Sequence, residues 1–307
     1  FVSSKPSANK REALVEQLLN DEQYTEEYAR HWTTIWTNLL IGRRGGIGKG
    51  DLANREGLQD YLHEGFQQNK PYDQMAYELI SATGANTPGA KGYNGAVNFM
   101  LASMNDQATL ATARTSRIFL GKQLQCVQCH KHPTNDWAQQ NFWEMNAFFR
   151  QLKVVKNKKS KVNRLVNQDF VGKQGDPNDA EIYYGQPDGS MSVAYPRFLG
   201  GKPLDHNGQV SQFDRRTELA KLVRQSDDLS QALVNRIWSH FLGFGFTRPI
   251  DDMGHHNPAS HPKLLEHLAQ QFSAHRYNMK DLFRWIALSD AFALSSRLSS
   301  TNSLDTP

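Results

Sequence analysis

Apolar residues return every three or four positions along most of this chain, a period that commits it to helices laid against one another. Over residues 9–41, Leu14, Val15, Leu18 and Leu19 stripe one helix, and Tyr24, Tyr28, Trp32, Ile35, Trp36 and Leu39 stripe a second. The texture resumes at 52–68, 71–83 and 94–121, and again in an aromatic helix over 141–149 that carries Phe142, Trp143, Phe148 and Phe149. From residue 211 it yields four more helices, at 213–224, 229–241, 261–274 and 279–293. The third of these has Ser260 as its expected N-cap and Pro262 in its first turn.

Residues 151–210 differ, being rich in Lys, Asn, Gly, Asp and Pro. Two short β-prone runs, 181–184 and 192–195, flank the turn signal Pro187-Asp188-Gly189-Ser190, which predicts a small hairpin. The expected fold is mainly α. A helical module spans 1–150, an irregular segment with the hairpin spans 151–210, and a C-terminal helical module spans 211–307, the two modules forming one body. The glycine-rich stretch 42–50 lacks the spacing of a phosphate-binding loop and reads as a connection. The serine-rich end, 295–307, reads as frayed.

Composition narrows the function classes. With 307 residues, 38% hydrophobic and 21% charged, the chain is an ordinary globular one. It contains no run of about 18 apolar residues, so no membrane-spanning helix is expected. The net charge is +4, and the basic run 153–161 has no interleaved aromatics. That run reads as a solvated loop, and no nucleic-acid partner is expected. The opening Phe1-Val2-Ser3-Ser4 has no initiator methionine, which reads as a mature product or an excised portion of a longer chain.

Both cysteines fall in one motif, Cys126-Val127-Gln128-Cys129-His130. This is the C-x-x-C-H pattern of covalent haem attachment, in which two thiols form thioethers with the haem vinyl groups and the histidine offers a neutral imidazole nitrogen to iron. Three other readings stay open. A redox dithiol needs only Cys126 and Cys129 and leaves His130 idle. A zinc site of Cys126, Cys129, His130 and His132 would crowd four ligands into seven residues. The third is a pair of free buried thiols beside a surface histidine. No paired carboxylates, nucleophile elbow or metalloprotease motif points to a hydrolase.

The segment from Ile118-Phe119-Leu120-Gly121 through Cys126–His130 and His132-Pro133 to Phe148-Phe149 resembles the planctomycete-type c-cytochrome module known as domain of unknown function fifteen-forty-nine. Tyr28-Ala29-Arg30-His31-Trp32 and Asn69-Lys70-Pro71-Tyr72-Asp73 are similar to its earlier signatures. Asn235-Arg236-Ile237-Trp238-Ser239-His240 and Asn257-Pro258-Ala259-Ser260-His261-Pro262 resemble its usual partner, domain of unknown function fifteen-fifty-three. The resemblance implies an exported, cytochrome-like protein of no established reaction, with one covalent haem c. One departure stands out: Thr33, Thr34 and Ile35 follow Trp32 where related chains carry an acidic residue, so no role of that acid is carried over.

Haem leaves a sixth iron position to fill. His132 is too near His130 to reach the opposite face of the macrocycle and suits a supporting or capping role. His31 and His240 lie in helical phase with apolar residues and are expected to point inward, His31 ahead of His240 as the distal ligand. His261 is expected to fix the start of its helix, His255 and His256 lie in a loop and take no assigned role, and Met145 is a thioether candidate set against the commoner gap-filling core role. A saturated iron suits an electron carrier or a haem-bearing subunit with a redox partner protein or larger assembly. An open position suits peroxidase-like chemistry, for which Arg30 beside His31 and Arg236 near His240 supply the usual pairing. A structural module stapled by its haem or metal is the third class. Haem attachment to C-x-x-C-H outside the cytoplasmic membrane makes the periplasm or cell surface the expected location.

Overall fold

A computed structural model describes residues 9–104, 106–157 and 162–294. Helix α1 (Lys10–Asn20) leads into α2 (Thr25–Ile41), which buries Ala29, Trp32, Trp36 and Leu40 along one stripe. Gly42 ends α2 at φ +77, a conformation that costs glycine little. Helix α3 (Arg55–Gln67) starts behind Asn54, whose side chain accepts from the Gly57 N–H, and α4 (Tyr72–Ser81) follows Pro71. The helix expected over 94–121 is interrupted. It splits into α5 (Val97–Leu101) and α6 (Thr109–Phe119), with Gln107 and Ala108 left-handed between them. Asn146 fastens that break by donating to Gln107 O and Thr112 Oγ1, a long-range tie that periodicity cannot register.

The aromatic helix α7 (Gln139–Asn146) runs into a 3-10 turn over Ala147–Phe149. Strands β2 (Leu152–Lys156) and β3 (Asn163–Asn167) pair antiparallel, and the two-residue β1 (Gly84–Ala85) adds to the far side of β3. Part of the basic run is therefore a strand, not a loop. Alternation of side chains lets Lys153 and Val155 stand outward while Leu152 and Val154 pack against the core. Residues 158–161 of the run, and the serine-rich end, lie outside the described residues. The predicted hairpin forms: β4 (Ile182–Gly185) pairs antiparallel with β5 (Met191–Ala194) across the Pro187–Ser190 turn.

Helices α8 (Arg215–Gln225) and α9 (Asp227–Leu242) start behind the caps Asp214 and Ser226, and α9 ends at left-handed Gly243. Helix α10 (Pro262–Ala274) begins behind His261 rather than Ser260, and no side chain caps it. Helices α11 (Met279–Leu288) and α12 (Asp290–Ala293) follow. The described residues are mainly helical, with two small sheets. One apolar cluster runs from Trp32 and Trp36 through Phe119 and Phe148 to Leu233 and Phe272, so the two helical stretches share a core.

Two buried arginines reinforce that union. Arg216 donates to Ile80 O and Ala82 O at the end of α4 and to Asn167 Oδ1 on β3. Arg215 donates to Ala147 O, Ala180 O and His206 O. These carbonyls lack the helix partners they would have in mid-element, and a buried guanidinium must find such acceptors or be very costly. Burial pulls both guanidinium pKa values down to about 10.

Candidate functional site

The C-x-x-C-H segment hangs between α6 and α7. Gly121 makes the exit from α6 at φ +64, where an added Cβ would lie 2.7 Å from Met253 Sδ. Lys122 then reaches Asp228 at 3.1 Å, and Gln123 donates to Asp251 at 3.1 Å, so the N-terminal end of α9 and the loop after it brace the segment. Residues Leu124–Val127 form a 3-10 turn. At three residues per turn, positions three apart share a side. Leu124 and Val127 plug into the core, and Cys126 and Cys129 stand exposed as free thiols. That disposes of the buried-thiol reading.

The two nearby histidines have opposite chemistry. His130 is exposed, and its Nδ1 lies 2.7 Å from the carbonyl oxygen of Lys131. A carbonyl only accepts, so Nδ1 carries the proton and a neutral ring keeps its lone pair on Nε2, the form a metal ligand needs. His132 is 9% exposed, and its Nδ1 lies 3.2 Å from both the Thr134 and Asn135 N–H groups. Those groups only donate, so Nδ1 is the acceptor and the proton of the neutral ring sits on Nε2. His132 therefore organises the loop. Among the described residues, no three His, Cys, Asp or Glu side chains gather to hold a metal ion, so the four-ligand zinc arrangement is not assembled.

A groove opens beside the motif. One cavity of about 470 Å³ is lined by His130, Tyr184, Gln186, Pro187 and Val193, and one of about 220 Å³ by Cys129, Trp143, Gly185 and Gln186. Both include Gln139, whose Nε2 donates to Gln128 O at 3.1 Å and to Gly185 O at 2.9 Å. One side chain thus ties the cysteine turn to the hairpin. Trp143 adds an indole donor to Gln128 O and stacks on Tyr184 at 5.5 Å and 13°. Trp143 alone of the four aromatics on this helix lines the groove, for Phe142, Phe148 and Phe149 are core residues. Sequence reasoning missed Gln139 and the hairpin wall, since a glutamine at a helix start carries no signal of a partner 46 positions away.

His31 and His240 are both exposed, contrary to the inward placement expected from their phase. They share a face with apolar neighbours, but that face borders an open cavity. Their rings meet at 5.9 Å, and both line a space of about 740 Å³ with Tyr28, Trp32, Phe241 and Phe283. Burial, and then the neighbouring His31, lower the His240 pKa. Neither ring lines the groove at His130. At 1.5 Å per residue, α9 carries His240 about 18 Å beyond Asp228, the residue that meets Lys122. Met145 is wholly buried in the core. His255 and His261 are exposed, and His256 is largely covered, its ring 5.8 Å from that of His132. Arg30 is exposed, and Arg236 lines a separate cavity of about 370 Å³ with His240 and Trp32.

The features above define a helical protein that displays two thiols and an imidazole on one surface turn. Residues 1–154 match the family described as Protein of unknown function (DUF1549), PSCyt2, and residues 215–307 match Protein of unknown function (DUF1553), PSD1. The first match covers just over half of the chain, which therefore belongs to the DUF1549 family and continues into a DUF1553 segment. No curated protein and no solved structure matches the chain. No described helix is long and apolar enough to cross a membrane.

Proposed function

We propose that this chain holds one covalent haem c, through Cys126 and Cys129 with His130 as proximal ligand, and serves electron transfer as a carrier or a haem-bearing subunit. The observation that carries this reading is the state of His130. Its Nδ1–H is committed to Lys131 O, so the neutral ring keeps its Nε2 lone pair, and it stands exposed next in the chain to the free Cys129 thiol. The residues present fit the group. Both thiols are exposed, Cys129 and His130 line the groove, and Trp143 and Tyr184 give it an aromatic wall. Bound haem would supply a one-electron centre whose potential the axial ligands and burial set.

The chain's own residues then do three things. Gln139 and Trp143 hold Gln128 O and fix the cysteine turn, Lys131 O sets the tautomer and ring orientation of His130, and the hairpin covers one side of the groove. Exposure of Cys126, Cys129 and His130 suits transfer to a redox partner protein at the surface. The attachment chemistry puts the mature protein in the periplasm or at the cell surface.

The test is an intact mass together with a pyridine haemochrome spectrum, on protein produced with a periplasmic haem-maturation system. A mass increased by one haem and a c-type haemochrome are expected, both lost in the double variant Cys126→Ser, Cys129→Ser. An unmodified polypeptide mass refutes the reading, and the mass of an internal disulfide transfers the motif to dithiol chemistry. Carbon monoxide binding to the ferrous protein would move the function toward chemistry at an open sixth position.

A further inference from the structure

A further cavity lies elsewhere, in a cleft of about 910 Å³. Its walls come from the loop and helix start at Thr134–Asn141 on one side and from Met253–Ala259 and Glu266 on the other. These belong to the DUF1549 and DUF1553 segments respectively, so the cleft exists only where the two meet.

Its polar groups are oriented but not used up. Asn141 accepts from the Ala138 N–H through Oδ1 and Asn135 accepts from the Trp137 N–H, so each keeps its Nδ2 donors for the cleft. Asn257 spends Nδ2 on Pro249 O and Asp252 O and keeps Oδ1. His256 Nδ1 is buried without a hydrogen bond, while Asp252 Oδ1 lies 3.1 Å from Nε2. Buried polar atoms without partners are rare and call for a water, ion or ligand. The Trp137 ring, half-buried, lines the same space.

The mixture selects among ligand classes. An apolar ligand would strand these donors and acceptors at a cost of about 1–3 kcal/mol each. An anion such as phosphate would face the carboxylates of Asp136 and Glu266, and the nearby Lys122 is already paired with Asp228. A metal cation has no use for amide N–H groups. A hydroxyl both donates and accepts, so a neutral hydroxyl-rich molecule satisfies amide donors, an amide acceptor and an imidazole together, while an indole covers its C–H face. We propose that this cleft is a saccharide-binding site, with Trp137 as the platform and His256, Asn135, Asn141 and Asn257 as the hydrogen-bonding set. It uses neither thiol nor His130, so it stands or falls independently of the haem.

Isothermal titration of the full chain with maltotriose, cellotriose and chitotriose tests the assignment. At least one trisaccharide should bind with a Kd of about 1 mM or tighter. Trp137→Ala should weaken it about tenfold, the scale of one aromatic contact. His256→Ala removes the buried ring without touching the platform and should weaken the same ligand, which keeps the test valid if the Trp137 variant misfolds. Failure of all three sugars to bind, or binding that both variants leave unchanged, overturns the proposal.

Discussion

Replacing Gln139 by leucine should uncouple the hairpin from the cysteine turn while leaving the fold standing. The size of the effect follows from what each partner keeps. Gln128 O loses one donor but retains the Trp143 indole, and Gly185 is exposed, so water can replace the lost bond there. Each neutral bond nets about 0.5–1.5 kcal/mol, which bounds the loss at about 1–3 kcal/mol. Against this, Gln139 Oε1 is buried with no partner, and removing it returns about 1 kcal/mol or more. Global stability should therefore fall by less than about 2 kcal/mol, a shift of a few degrees in Tm that does not say where in the chain the loss lies. The same loss is felt in local opening, because both bonds break when the hairpin leaves the cysteine turn. Opening of the hairpin should become easier by about 1.4 kcal/mol, a tenfold rise in amide exchange over 182–194 and the cysteine turn. Hydrogen exchange read by mass spectrometry checks this. Exchange unchanged in both segments, or raised equally throughout the chain, would refute the bridging argument.

Arg216→Met should destabilise the protein by about 3 kcal/mol, because it strands the neutral acceptors Ile80 O, Ala82 O and Asn167 Oδ1 in the interior at about 1–3 kcal/mol each, partly offset by an apolar side chain in their place; near-wild-type denaturant unfolding would contradict that. His31→Ala should raise the His240 pKa, since one of its two depressing influences disappears, as a histidine NMR titration would report. The sign for stability follows: the folded His240 ring binds a proton less readily than the unfolded one, so stability falls as pH drops through the ordinary value of 6.5. That acid-side loss should be smaller in the His31 variant, and an identical pH profile would show that the two rings do not interact. In protein made without haem, the double Cys126→Ser, Cys129→Ser variant should change stability by no more than about 0.5 kcal/mol, because both thiols are exposed; a large loss would mean that the thiols are structural.

Helical phase located the main helices because each buries a stripe that repeats at the helical period, as Ala29, Trp32, Trp36 and Leu40 do. It failed at 94–121, where the chain reverses through left-handed Gln107 and Ala108, neither of which is a residue type that signals a break. It also failed at β2, whose lysines point to solvent and whose inward residues are too few to show against a basic background. The hairpin succeeded for the opposite reason, since its turn is written in Pro187-Asp188-Gly189-Ser190 itself. Local instructions were legible, and pairings between distant segments were not.

The same division separates what could be read of the site. Cys126, Cys129 and His130 fall within five residues, and all three are exposed. The role of His132 was legible too, because a ring that receives the Thr134 and Asn135 N–H groups needs only its own loop. His31 and His240 were not, since phase reports the face of a helix and not what lies across from it. Tyr28, Trp32 and Phe241 line a cavity whose other walls come from α1 and α11, so the two histidines sit at the open edge of faces that are otherwise core. A histidine pair gathered by α2 and α9 thus lies apart from the cysteine turn between α6 and α7. Only the second was announced by a motif, and the first needed the helices to be packed before it existed at all.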